Sequence, residues 1–143
     1  RMTDIHASIG RVQLTKLAGW TKTRQENAAF LSSNITEAIT PAVPEGYVHV
    51  YHQYTIRLEG ATGEERDRFV TALKEEHQVG SGVYYPIPNH RLPSLAPYAP
   101  GLELPNTEKV AAECVSLPVH PSLSQADRER IVAAVNTCAK AGA

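Results

Sequence analysis

The chain has 143 residues, with 14 Lys and Arg against 15 Asp and Glu and a formal net charge of −1. That length suits one domain with a real core, and the balanced charge argues against a dedicated binder of nucleic acid or anionic membrane, both of which need clustered excess cation. Hydrophobic residues are 42% and charged residues 20%, a globular composition rather than a disordered one, and no run of ~18 apolar residues suits a bilayer crossing.

The opening Arg1-Met2-Thr3-Asp4 passes straight into helical sequence, which leads us to expect a piece of a longer protein. Ile5, Ile9, Val12, Leu17, Trp20, Ala28, Leu31, Ile35 and Ile39 recur at spacings of three and four. That pattern predicts a long helix over Thr3–Ile39, broken once near Arg24 and stopped by Thr40, Pro41 and Pro44. Gly10 and Gly19 inside it suggest that another backbone packs close, since glycine costs about 1 kcal/mol in a helix relative to alanine.

From Val48 to Leu58 apolar and polar residues alternate, which predicts a strand. Thr62 with Glu65 gives a capping-box spacing for a second helix that turns Phe69, Val70, Leu73 and His77 inward. Gly80-Ser81-Gly82 ends that region, and Val83-Tyr84-Tyr85 reads as a short strand halted by Pro86. Six of the ten prolines then fall between 86 and 105. A loop of that length inside a compact domain is uncommon and is usually functional or disordered, and its aromatic and imidazole content favours function. A third helix opens at Asn106 or Thr107 with Val110, Ala111 and Cys114 inward, and Ser116–Val119 is extended. Ser122 or Ser124 caps a last helix with Ile131, Val132, Val135 and Cys138 on its stripe, ended by Gly142.

The order predicts an α+β fold: a sheet of about three strands, helices on one face, and a long N-terminal helix. Residues 1–40 read as the long helix and 41–143 as a small C-terminal α+β domain. So small a sheet cannot cover the whole helix, so part of its apolar face should lie open for another domain or subunit.

Few residues carry chemistry on their own. His49 and His52 spell H-x-x-H, but on a strand positions i and i+3 face opposite ways, so one metal ion cannot take both. His52 reads as a core or interface histidine. No metal site is expected. The five lysines, Lys16, Lys22, Lys74, Lys109 and Lys140, all read as solvated helix positions, unlike the buried lysine that a Schiff base wants. No phosphate-binding glycine loop, nucleophile elbow or C-x-x-C pair is present. Cys114 and Cys138 read as small buried hydrophobes. The densest cluster is Val83-Tyr84-Tyr85-Pro86-Ile87-Pro88-Asn89-His90, where alternation would send one tyrosine into the core and the other into a cleft. Hydroxyls and imidazole there suit a polyol or a phosphate.

Four ordered blocks carry a resemblance: Arg1–Gly10 with Gln13-Leu14 and Leu17, His49–Arg57, Val83–His90, and Ser116–Pro121. They resemble the C-terminal part of the DegT/StrS-type nucleotide-sugar aminotransferases. The resemblance implies the C-terminal small domain of a fold-type I enzyme of the aspartate aminotransferase class, dependent on pyridoxal 5′-phosphate (PLP) and usually homodimeric. It implies amino transfer from glutamate or glutamine to a keto group on a nucleotide-linked sugar. The family's Schiff-base lysine, and the asparagine that reaches the cofactor phosphate, lie before the position of Arg1. No catalytic or cofactor-binding residue and no covalently bound PLP is therefore expected in this chain, which should be inactive alone. Arg1, Tyr84, Tyr85 and His90 match substrate-lining positions; His52, His120 and Asp4 are left as structural. With no targeting signal, the cytoplasm is expected, without nucleic-acid or membrane partners. A PLP-dependent sugar dehydratase and a non-catalytic binding module remain alternatives.

Overall fold

The computed structural model describes residues 2–141. Among them are four α-helices and a two-stranded sheet: α1 (Asp4–Asn34), β1 (Tyr54–Arg57), α2 (Gly63–Glu75), α3 (Pro105–Glu113), β2 (Cys114–Leu117) and α4 (Gln125–Ala141). The α+β class is as expected. No helix among the described residues is long and apolar enough to cross a membrane.

Helix α1 is continuous for 31 residues, about 46 Å at 1.5 Å per residue. It starts on Thr3, whose Oγ1 accepts from the His6 backbone N–H, and no break occurs near Arg24. It stops at Asn34, five residues short of Ile39, because two tertiary demands pull the chain away. Ile35 turns extended and buries itself in the core, and Ile39 exchanges two backbone hydrogen bonds of 2.9 Å with Arg57. Asn136 of α4 holds that exit: its Oδ1 accepts from Thr36 N at 2.9 Å and its Nδ2 donates to Asn34 O at 2.9 Å. Within this chain, nothing lies within 4 Å of a Cβ placed at Gly10 or Gly19, so the close backbone neighbour suggested by those glycines is not supplied here. Only Asn27, Ala28 and Leu31 of α1 are buried.

Strands β1 and β2 are antiparallel, with Tyr54 opposite Leu117 and Arg57 opposite Cys114. The strand expected over Val48–Leu58 shrinks to four residues. Positions 48–53 find no ladder partner, Val48 is 82% exposed, and Tyr51 takes φ +47°. The expected third strand at Val83–Tyr85 reduces to a single bridge, in which Gly82 and Ser116 exchange backbone bonds of 3.0 and 2.7 Å. Val83, Tyr84 and Tyr85 make no ladder bonds although each has an N–H, and Pro86 and Pro88 bar the ladder from resuming beyond them. The sheet is therefore two-stranded, with one-residue bridges at Ile39 and Gly82 on its two edges.

Helix α2 begins on the capping box read from sequence: Glu65 N donates to Thr62 Oγ1 and Thr62 N donates to Glu65 Oε2 at 2.7 Å. Helix α3 starts at Pro105, one residue before the expected asparagine. Proline lacks only a donor that the first helical turn leaves unused anyway. Cys114 ends α3 and belongs to β2 rather than to the helix. Ser124, not Ser122, caps α4, with Asp127 N donating to its Oγ and Ser124 N donating back to Asp127 Oδ2 at 2.9 Å. The expectation at Gly142 lies outside the described residues.

The core gathers Leu31 from α1, Tyr54 and Ile56 from β1, Phe69 and Leu73 from α2, Val115 and Leu117 from β2, and Ile131 and Val135 from α4. Both cysteines are free and buried, and burial pushes both thiols above their ordinary range. One ion pair is sunk in this framework. Glu113 at the end of α3 is 1% exposed; its Oε2 accepts from Arg57 Nε and Nη2 at 2.9 and 2.7 Å, and its Oε1 accepts from Gly60 N at 2.9 Å. Burial alone would raise the Glu113 carboxyl. The Gly60 N–H and the Arg57 guanidinium outweigh it and hold that carboxyl below its ordinary range.

Candidate functional site

The bridge at Gly82 delivers Tyr84 and Tyr85 to the rim of two cavities, of about 680 and 700 Å³, both of which these tyrosines line. Neither tyrosine enters the core, contrary to the expectation from alternation: Tyr84 is 56% and Tyr85 75% exposed. The single-residue bridge releases the chain from the pleat before position 84, so strand alternation no longer sorts these side chains. Tyr84 instead folds back over Gly82, where an added Cβ would lie 2.7 Å from its ring. The absent side chain of Gly82 is what leaves room for that ring.

The first cavity brings Tyr84, Tyr85 and His90 together with Asn89, Asn106 and Thr107, against an apolar floor from Ile87, Leu104 and Val110. The three residues expected at a substrate site therefore share one wall. Arg1 lies outside the described residues. The proline-rich loop is ordered by two single 3-10 turns, Asn89–Arg91 and Ala96–Tyr98, and by one carboxylate. Glu108 Oε1 accepts from His90 Nε2 at 2.8 Å, from Arg91 Nε and Nη2 at 3.1 and 2.8 Å, and from Leu104 N at 3.4 Å. Hydrogen bonds from His90 and then Arg91 hold the Glu108 carboxyl down at about 2. The His90 side chain is only 6% exposed, so it is a fixed part of the wall and not a free surface group.

The second cavity carries Arg24, His52, Gln53, Ser81 and His120 beside the two tyrosines. His52 is exposed here, not in the core, because the strand that would have carried it inward ends at Tyr54. His120, read as structural, is exposed at the same rim, and its backbone carbonyl accepts from Asn27 Nδ2 at 3.0 Å. The Ser81 hydroxyl is buried without a partner among the described residues. No Asp or Glu lines either cavity. Donors and neutral acceptors without carboxylates suit a ligand that is itself anionic and hydroxyl-rich. Sequence reasoning missed Glu108, Arg24 and Ser81. A glutamate in the first turns of a helix opened by proline was the one available signal, and it points equally well to ordinary macrodipole pairing.

His49 and His52 are not drawn to a common ion: His49 Nδ1 accepts from Tyr51 N at 2.8 Å. Among the described residues no group of three or more His, Cys, Asp or Glu is placed to hold a metal. All five lysines are exposed, each on a helix, and none lines either cavity.

Comparison with known proteins agrees with this fold. A "Pleiotropic regulatory protein" of Geobacillus stearothermophilus is 36% identical over 139 residues, 92% of this chain and 36% of its own. A UDP-N-acetyl-3-dehydro-α-D-glucosamine 3-aminotransferase of Acidithiobacillus ferrooxidans is 32% identical over 137 residues, 94% of this chain and 35% of its own. Among solved structures, a protein of Streptococcus pneumoniae assigned as a sugar aminotransferase, in its PMP form, superposes with a TM-score of 0.91 at 26% identity. It covers 100% of this chain and 36% of its own. DesV of S. venezuelae, in complex with a ketimine intermediate, superposes with a TM-score of 0.87 at 28% identity, covering 98% of this chain and 37% of its own. The chain thus spans about a third of the length of these relatives. The model of the DegT/DnrJ/EryC1/StrS aminotransferase family matches residues 1–136, and the chain belongs to that family.

Proposed function

We propose that this chain supplies the sugar-facing wall of a PLP-dependent aminotransferase that acts on a nucleotide-linked sugar, with glutamate or glutamine as amino donor. The observation that carries this reading is the meeting of Tyr84, Tyr85 and His90 on one carboxylate-free cavity of about 680 Å³. Relatives named as aminotransferases of UDP-linked and dTDP-linked sugars support it. Tyrosine hydroxyls and imidazole give directed hydrogen bonds to sugar hydroxyls, and Ile87, Leu104 and Val110 offer an apolar face to the sugar's C–H groups. The Arg24 guanidinium and the Ser81 hydroxyl of the neighbouring cavity suit the phosphates of such a ligand.

PLP supplies an electron sink for amino transfer when bound, but the residues described here do not fit it by themselves. No lysine lines either cavity to bind it covalently, and no carboxylate is there to pair its pyridine nitrogen. The contribution of this chain is to bind and orient the sugar and to exclude water from it. Alone it is expected to be inactive. In this reading residues 1–40 form the connecting helix and residues 41–143 the small domain. The parent enzyme is a cytoplasmic homodimer, and Arg1 contacts substrate across the dimer.

Equilibrium dialysis of the chain against radiolabelled UDP-N-acetylglucosamine tests the binding role. Saturable binding, weakened several-fold by the double substitution Tyr84→Phe and Tyr85→Phe, is the expected result. Binding that ignores both substitutions contradicts it, as does turnover of a keto sugar with glutamate and PLP by the homogeneous chain.

A further inference from the structure

Glu108 does something that its surface position would not suggest. One of its oxygens collects the imidazole of His90, the guanidinium of Arg91 and the backbone N–H of Leu104. These partners stand at the two ends of the proline-rich loop, so a single carboxylate ties the loop to α3 at both its entry and its exit. The carboxyl is held down at about 2, so at neutral pH it is ionised and can only accept. The hydrogen at the 2.8 Å contact must therefore sit on His90 Nε2. The other ring nitrogen, Nδ1, has no hydrogen-bond partner among the described residues, and it is not among the buried unpartnered atoms. His90 lines the cavity that it shares with Tyr84 and Tyr85.

We infer that Glu108 is a positioning residue: it keeps the His90 proton on Nε2 and presents Nδ1 as a hydrogen-bond acceptor to a ligand hydroxyl in the cavity. The tyrosine hydroxyls can donate or accept, and the Asn89 and Asn106 amides offer both. With its proton held on Nε2 by Glu108, the bare Nδ1 of His90 adds an acceptor to that wall. A site so built favours a ligand with a hydroxyl donor at that point, such as a sugar ring, over one carrying a second acceptor there, such as a keto oxygen or a phosphate. The ligand half of this inference rests on the nucleotide-sugar reading of the cavity. The ring-proton half does not.

Long-range ¹H–¹⁵N correlation spectra of the His90 ring in the whole chain, above the range in which histidine titrates, read the proton position directly. The expected wild-type result is the Nε2–H tautomer. Glu108→Gln keeps an acceptor within reach but adds an N–H that can donate, so a mixture of tautomers is expected. A proton on Nδ1 in the wild type, or a ring state unchanged by Glu108→Gln, would overturn the positioning role. A wild-type proton on Nδ1 overturns the role even if that variant fails to fold.

His90→Lys retains a donor to Glu108 and carries no acceptor. It is expected to weaken binding of UDP-N-acetylglucosamine roughly two- to tenfold, the worth of one hydrogen bond. Undiminished binding by His90→Lys overturns the acceptor role. Absence of binding by the wild type sinks the nucleotide-sugar reading and the acceptor role together, while the ring-proton result stands or falls separately.

Discussion

Two carboxylates, Glu113 and Glu108, show how differently one residue type works in this chain. Glu113 is sealed in the framework and satisfied by Arg57 and Gly60. Removing one partner leaves a buried charge uncompensated, which costs more than the pair contributes. Arg57→Ala should therefore destabilise the chain by about 3 kcal/mol, measured as a lower urea midpoint at unchanged slope. Glu108 works at the loop. Its folded pKa of about 2 lies below the ordinary 4.5, so between those values the unfolded state binds more protons. The stabilisation it provides is complete above about pH 4.5 and lost as pH falls through 2. Glu108→Gln should flatten that part of the acid-unfolding profile; an identical acid limb in both proteins would refute the assignment. The Thr62–Glu65 pair could be read from sequence because a capping box is a local rule. Glu108 could not, since its partners His90 and Arg91 lie 18 and 17 residues away across an irregular loop.

Periodicity found the helices, and tertiary contacts moved their ends. Most of the stripe of α4 emerged as read, with Ile131, Val135 and Cys138 buried and Val132 half-buried against the core. The exit of α1 did not, because it is set by Asn136, a polar residue about 100 positions away that no helix-stop rule points to. Asn136→Ala deletes bonds to Thr36 N, Glu37 N and Asn34 O. A loss of about 2 kcal/mol is expected, with faster amide exchange at residues 35–37; exchange unchanged there would count against the clamp. The strands were the least legible elements. Alternation from Val48 onward describes side chains, but a strand exists only where a partner offers its backbone, and that partner, β2, is four residues long. The two tyrosines carried the right chemistry in the sequence, yet their directions depended on where that ladder stopped.

At the scale of the whole molecule, the outer part of α1 has no core to cover it. Ile5, Ile9, Val12 and Leu17 are all exposed, Ile5 by 73%, on a helix whose burial begins only at Asn27. Contiguous apolar surface of this kind favours association. The isolated chain should therefore self-associate through α1, seen as a concentration-dependent mass in light scattering. Replacing Ile5, Ile9 and Val12 with Glu should return it to the monomer mass without loss of helicity. The expectation of an open apolar face on this helix followed from simple geometry: about 46 Å of helix cannot be covered by a small α+β unit.

The central claim is that the chain presents a nucleotide-sugar wall around Tyr84, Tyr85 and His90. The most direct measurement is an amide chemical-shift titration of the labelled chain with UDP-N-acetylglucosamine. Shifts are predicted to cluster at residues 80–90 and 104–108, the segments that line the two cavities and hold the loop. Shifts confined to the acidic outer face of α2, around Glu64, Asp67 and Glu75, or no shift at saturating ligand, would contradict it.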